Sequence, residues 1–241
     1  MSSTQQFSLP EVGSFQLEKL LGHGSFGQVY LCRHKRTGHI ACVKLENRNT
    51  TSPQVDYEYR LYDALAKSPV QPYVPRPLDH GVEGDYRFLV LELGGPDLSH
   101  AYNFSMLRKL RIFRHILTAL EVFHDGGLLH RDLKPKNILL KPGTKDPDAI
   151  LLIDLGLAKR FRILGKPVPN ERKDKFVGTS RYASPYVQMY TQSARRDDMY
   201  SLVYTMVNVF NIHPLPWQDL SGDKDERADR TVHLKRRLTP Q

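Results

Sequence analysis

Short apolar runs rich in Val, Ile, Leu and Tyr (FQLEKLL, GQVYLCRH, HIACVKLE and YRFLVLEL) alternate with turn residues from Phe15 to about Leu93. That spacing predicts an antiparallel sheet. One segment breaks the alternation. SPQVDYEYRLYDALAK opens with Ser52 before Pro53, a cap and first-turn pair, and places Val55, Tyr59, Tyr62 and Leu65 at helical intervals. GGPDL, from Gly94, then interrupts the strand pattern as a hinge would. Beyond it the period changes from two to about 3.6. In SMLRKLRIFRHILTALEVFHDGG, the stripe Met106, Leu110, Phe113, Leu117 and Leu120, closed by Gly126 and Gly127, predicts a helix. NILL and AILLID read as two small strands around a loop, and another helix is expected over about Asp197 to Phe210. The fold class is α+β: a polar extension over 1–14, a sheet lobe with one helix over 15–93, and a mostly helical lobe over 94–241, with a cleft between the lobes. There are no internal repeats and no low-complexity tract.

Composition changes this picture little. The chain has 241 residues, 40% hydrophobic and 25% charged, enough to bury a sizeable core. No run approaches the ~18 apolar residues of a membrane span, and MSSTQQFSLPEVG has no charged-then-apolar signal pattern. The expected location is the cytoplasm or the nucleus, with no membrane partner. Two cysteines, Cys32 and Cys42, are too few for a disulfide framework and read as reduced thiols.

Charge adds more. The net charge is +9, and it is concentrated. From Leu155 to Arg196, ten cations (Lys159, Arg160, Arg162, Lys166, Arg172, Lys173, Lys175, Arg181, Arg195, Arg196) face two acids, Glu171 and Asp174, a net +8. No helix-turn-helix, zinc-finger or aromatic-interleaved single-strand motif lies near it. A patch for an anionic partner therefore fits better than a nucleic-acid fold, and salt-dependent retention on DNA without ATP would reveal the latter. The ten histidines are scattered, which argues against a metal held by protein nitrogen or sulfur.

The candidate chemistry begins at GHGSFGQVY, where Gly22, Gly24 and Gly27 fit G-x-G-x-x-G with Val29 two residues on. A dinucleotide fold would need a helix directly afterwards; here a strand follows. A glycine-rich hairpin lets backbone N–H groups approach phosphates because no Cβ intervenes. Lys44 ends HIACVK inside a predicted strand and needs a partner if buried; Glu58, on the lobe's single helix, is the candidate. HRDLKPKN then supplies a carboxylate, Asp132, to receive a hydroxyl proton, a cation, Lys134, for a transferred phosphoryl, and an amide, Asn137, for a metal. Asp154 in LLIDLG adds a second metal ligand. Each piece alone also fits an ordinary surface turn; the four in this order and spacing do not.

These motifs resemble the eukaryotic protein kinases: glycine-rich loop, strand-three lysine (ACVK), catalytic loop (HRDLKPKN) and metal-binding triplet (DLG). Lys134, two after the acid, with GTSRYAS later, resembles the Ser/Thr kinases. KLE, LGGPDL, DLGLAKRF, GTSRYAS, ARRDDMYSL and LPWQDL resemble the casein kinase 1 superfamily, which includes the tau-tubulin kinases, from about Phe15 to the end. The resemblance implies a bilobal kinase fold and phosphorylation of Ser/Thr hydroxyls on proteins, with ATP and Mg2+ as cofactors. It implies that Leu21, Gly22, Gly24, Gly27, Val29 and Cys42 cover the nucleotide and that Lys44, paired with Glu58, binds its phosphates. Leu91 would be the gatekeeper, Glu92 and Gly94 would offer backbone groups to adenine, and Leu139 would floor it. Asn137 and Asp154 would hold the metal, Asp198 would brace the catalytic loop, and Thr179 and Arg181 would contact the substrate.

Four departures qualify the resemblance. Cys42 replaces the usual alanine, Leu155 the usual phenylalanine, and SPY (Ser184, Pro185, Tyr186) stands where most kinases carry an acid of a buried ion pair. SGDKDERADR (Ser221 to Arg230) mixes acids with bases where relatives have a basic cluster. Substrates with acidic or phosphorylated residues are the expected partners. The resemblance also implies further helices after Gln241, so an incomplete helical lobe is expected, as a fragment, isoform or natural truncation. Leu202, Val203, Met206, Val209 and Phe210 would then lose part of their cover and offer a surface to a partner. A kinase-fold binding or scaffold module without activity is the second reading.

Overall fold

The alternating segments form six antiparallel strands: β1 (Glu11–Val12), β2 (Phe15–Gly24), β3 (Gly27–His34), β4 (Ile40–Asn47), β5 (Pro77–Glu83) and β6 (Tyr86–Glu92), in the order β1-β2-β3-β4-β6-β5. The computed structural model describes residues 11–24, 27–163, 165–169, 176–210 and 214–238. Contacts divide the chain after Leu93 into two units.

Strand register decides what each face of the first unit's sheet carries, because directly paired residues share a face. Cys32 pairs with Ala41, Val43 with Val90 and Leu45 with Phe88. These six, with Val12 and Phe15, make a buried core. The opposite face is set by Val29 with Lys44, Leu31 with Cys42, and Cys42 with Leu91. Thus one strand, β4, alternates core residues with candidate site residues.

Helix α1 spans Val55–Leu65 and buries Val55, Glu58, Leu61, Tyr62 and Leu65. It starts later than Ser52-Pro53 suggested: its cap is Gln54, which has no side-chain cap bond. The Gln54 N–H instead donates to Glu46 Oε1 at 2.7 Å, so a carboxylate from β4 anchors the helix start. Contacts with β5 and β6 also hold α1 against the sheet. Asp56 meets His80 Nε2 at 2.9 Å and Arg87 Nε at 3.1 Å, and Tyr59 stacks on His80 with centroids 4.0 Å apart.

The second unit is mostly helical: α2 (Met106–Asp125), a short α3 (Pro185–Gln188), α4 (Arg195–Phe210) and α5 (Lys224–Leu238). Its small strands pair as β7 (Leu128–Leu129) with β10 (Lys159–Arg160) and β8 (Ile138–Leu140) with β9 (Ile150–Leu152). Ser105 caps α2, accepting the Arg108 N–H at 3.3 Å. The face α2 buries shares Phe113 and Leu120 with the expected stripe but not its other three residues. Ile112, Phe113, Ile116, Ala119, Leu120 and Phe123 are buried, whereas Met106, Leu110 and Leu117 are about half exposed. On α4, Leu202 and Val209 are buried and Val203 is exposed. Phe210 packs on Phe113 of α2 with centroids 5.3 Å apart, and it and Met206 are partly buried, so of the face expected to be open only Val203 is exposed. Among the described residues no helix is long and apolar enough to cross a membrane.

Helix α5 was not anticipated. Its start is a reciprocal cap: Asp223 Oδ1 accepts the Asp225 and Glu226 N–H groups at 2.9 Å, and Glu226 Oε2 accepts the Asp223 N–H at 3.1 Å. Asp223, Asp225, Glu226, Arg227, Asp229 and Arg230 of SGDKDERADR thus belong to a helix end and its exposed face.

Candidate active site

In the first unit, the β2–β3 register runs from Phe15 opposite His34 to Gly24 opposite Gly27, with irregularities between Leu17 and Lys19 and between Leu20 and Gly22. Gly27 is required sterically, since a Cβ there would lie 2.0 Å from the Leu45 carbonyl oxygen. A Cβ at Gly22 would meet nothing within 4 Å, so packing alone does not demand glycine there. Leu21 is exposed. Ser25 and Phe26, inside the motif, lie outside the described residues.

Lys44 is buried and forms an ion pair with Glu58 of α1, itself only 1% exposed. The pair depends on the sheet face that β4 presents and on the Asp56 and Tyr59 contacts that fix the helix. On the same face, the Cys42 thiol lies 3.6 Å from the Leu91 carbonyl, and burial pushes its pKa up to about 11. A thiol whose pKa is raised by burial is a poor nucleophile at neutral pH. The Glu92 N–H donates to the Arg76 carbonyl at 3.0 Å, and the Glu92 carbonyl lies 3.9 Å from the Cys42 thiol.

In the second unit, Gly94 packs on Leu139: a Cβ would fall 2.3 Å from Leu139 Cδ1. Hydrogen bonds from Gly95 N–H to the Leu140 carbonyl (2.8 Å) and from Leu140 N–H to the Pro96 carbonyl (2.9 Å) fix this approach.

The HRDLKPKN loop connects β7 to β8. Asp132, 6% exposed, gathers three donors: the Thr179 N–H at 2.9 Å on Oδ1, and Lys134 Nζ at 2.5 Å and Asn137 Nδ2 at 3.2 Å on Oδ2. Lys134 Nζ also donates to Thr179 Oγ1 at 3.0 Å. Asn137 Nδ2 further donates to the Asp132 carbonyl at 2.9 Å, so both of its amide-nitrogen contacts are with Asp132. The β8–β9 ladder continues through the Ile153 N–H to the Asn137 carbonyl at 3.0 Å and so brings Asn137 beside the Asp154 segment. Asp154 has φ 62°, a left-handed conformation that Asp and Asn tolerate better than most residues.

Asp198, at the start of α4 and 1% exposed, braces this loop. Its carboxylate accepts the His130 and Arg131 N–H groups, each at 2.9 Å, and lies 2.9 Å from His124 Nε2 of α2. Arg131 has φ 70°, an uncommon conformation that these paired acceptors stabilise. Asp198→Ala would orphan two N–H groups, one buried and one partly buried, and is expected to cost on the order of 2–4 kcal/mol. Chemical denaturation checks it; an unchanged midpoint would count against the brace.

Ser184, at the departure from the kinase pattern, donates its hydroxyl to Asp197 Oδ1 at 2.5 Å, and Asp197 Oδ2 accepts the Ala194 N–H at 2.7 Å. Burial holds the Asp197 carboxyl above its usual range. Of the basic run, Arg160, Lys166, Arg181, Arg195 and Arg196 are exposed, and Arg172, Lys173 and Lys175 lie outside the described residues. Arg162 is engaged internally, donating at 3.2 Å to the His124 and Asp125 carbonyls at the end of α2.

A family model for the protein kinase domain matches residues 15–239. The chain belongs to this family and is a protein kinase, a phosphotransferase acting on proteins. Protein kinase domains generally use ATP and Mg2+. The donor set of the second unit fits such a metal. Among the described residues no three or more His, Cys, Asp or Glu side chains cluster as a protein cage. One amide oxygen and one carboxylate, from Asn137 and Asp154, match a magnesium that takes its other ligands from phosphates and water.

Proposed function

We propose that the chain phosphorylates serine and threonine hydroxyls close to acidic or phosphorylated residues, as a member of the casein kinase 1 branch, in the cytoplasm or nucleus. The observation that carries this reading is the position of Lys134, whose ammonium reaches both Asp132 Oδ2 and Thr179 Oγ1. Asp132 receives the proton of the attacking hydroxyl, and Lys134 offsets negative charge on the transferred phosphoryl. Thr179, holding Asp132 through its N–H, sets the carboxylate's orientation. Lys44 binds phosphate oxygens of ATP, with Glu58 fixing its ammonium. Asn137 and Asp154 hold magnesium, which supplies charge neutralisation at the phosphates when bound. The exposed Arg160, Lys166, Arg181, Arg195 and Arg196 favour acidic sequences around the acceptor, Arg181 being the first choice for direct contact.

The test is phosphotransfer from labelled ATP, with magnesium, to casein, to an Asp- and Glu-rich serine peptide, and to peptides with upstream arginines or with tyrosine as acceptor. The acidic peptide should exceed the arginine peptide by about tenfold or more in kcat/KM, and salt should narrow that gap. A preference for upstream Arg or Lys, or for tyrosine, would overturn the reading. No transfer to any acceptor would leave a binding module.

A further inference from the structure

We propose that Lys235, on the inward face of α5, is a positioning residue for the acceptor protein: it fixes the 180–188 segment and thereby sets how tightly the acceptor is held. This rests on the kinase reading above, in which Thr179 and Arg181 lie at the acceptor.

Lys235 is 0% exposed although it sits in one of the most highly charged helices of the chain. Its ammonium donates to the Ser180 carbonyl at 2.6 Å, the Ala183 carbonyl at 2.6 Å and Gln188 Oε1 at 2.9 Å. The rings of Tyr204 and Trp217 face it at 5.1 and 4.9 Å. Burial works against the charge and pushes the pKa down to about 7. Oxygen acceptors and ring faces oppose that cost, and a lysine is rarely buried so fully without such partners.

The carbonyl between two of these acceptors is held as well. Trp217 Nε1 donates to the Arg181 carbonyl at 2.8 Å. The carbonyls of residues 180, 181 and 183 are therefore all bound by Trp217 and α5, while the Arg181 side chain remains exposed. On its other side the same segment is tied through Thr179 to Asp132 and Lys134. A segment fastened at both margins presents residues 179–181 in one conformation, and the ordering entropy of acceptor binding is reduced. Phosphate transfer itself uses none of the Lys235 atoms. Its loss should thus weaken acceptor binding far more than nucleotide binding.

The experiment compares wild type with Lys235→Met, using the full chain, ATP, magnesium and the Asp- and Glu-rich serine peptide. The expected result is a peptide KM raised about tenfold or more, with KM for ATP within twofold and kcat at saturating peptide within about threefold. A general loss of structure would move all three. Trp217→Phe, which keeps an aromatic ring but removes the donor to the Arg181 carbonyl, and Gln188→Ala should each raise the peptide KM by about two- to fivefold. If Lys235→Met does not fold, these two variants decide. Wild-type transfer with unchanged peptide KM in the folded variants overturns the positioning role and leaves the kinase reading standing. Absence of wild-type transfer to any acceptor overturns both.

Discussion

Asp132→Asn is expected to lower turnover on the order of 10²-fold or more while leaving ATP affinity within about threefold. The carboxylate is the group proposed to accept the hydroxyl proton, and an amide cannot do so. The structure adds a second consequence. Among the described residues, the hydrogen bonds of the Asp132 side chain all come from donors: the Thr179 N–H, Lys134 Nζ and Asn137 Nδ2. An asparagine must turn its own NH2 group toward one of them, so this substitution also weakens either the Thr179 contact or the Lys134 and Asn137 contacts. Turnover measured with labelled ATP and casein, beside the dissociation constant of a fluorescent ATP analogue, separates the two quantities. Turnover within tenfold of wild type would remove Asp132 from its role as base.

Much of this site is legible in the sequence because its parts are local. Asp132, Lys134 and Asn137 lie within six consecutive residues. β8 and β9 are short apolar runs whose antiparallel pairing carries Asn137 to the Asp154 segment. The alternation of β4 separates Cys42 and Lys44 from Ala41, Val43 and Leu45.

Other features depend on packing that periodicity does not express. Helix α2 carries apolar residues around much of its circumference. Spacing therefore allows the stripe through Met106, Leu110 and Leu117 as readily as the buried face through Ile112, Ile116 and Phe123. The start of α1 depends on Glu46, a distant carboxylate that outweighs the Ser52-Pro53 signal. Helix α5 did have a local signal, Asp223 three residues before Glu226, but its mixed charges and sparse apolar residues hide a buried face made by Thr231 and Lys235. That face exists only because carbonyls of the 180–188 segment and the rings of Tyr204 and Trp217 meet it.

Asp154→Asn provides a contrast with Asp132→Asn, and its expected effect falls on nucleotide binding. Asp154 adopts φ 62° and ψ 65°. Asparagine tolerates this region about as well as aspartate, so the exchange removes the charge with little backbone penalty. Alanine would combine the loss of charge with strain and is the poorer test. With the carboxylate gone, the amide oxygen of Asn137 remains as the chain's proposed magnesium ligand, and hard divalent cations bind neutral amides more weakly than carboxylates. Magnesium should tighten nucleotide binding in wild type by about tenfold or more. In Asp154→Asn most of that gain should disappear, and turnover should fall by at least about 10²-fold. Binding of the fluorescent ATP analogue with magnesium and with EDTA measures the difference directly. Asp132→Asn should retain the magnesium-dependent gain. Equal retention in both variants would exclude the Asp154 carboxylate as a ligand, and equal loss would show that the two carboxylates do not divide the work between metal and proton.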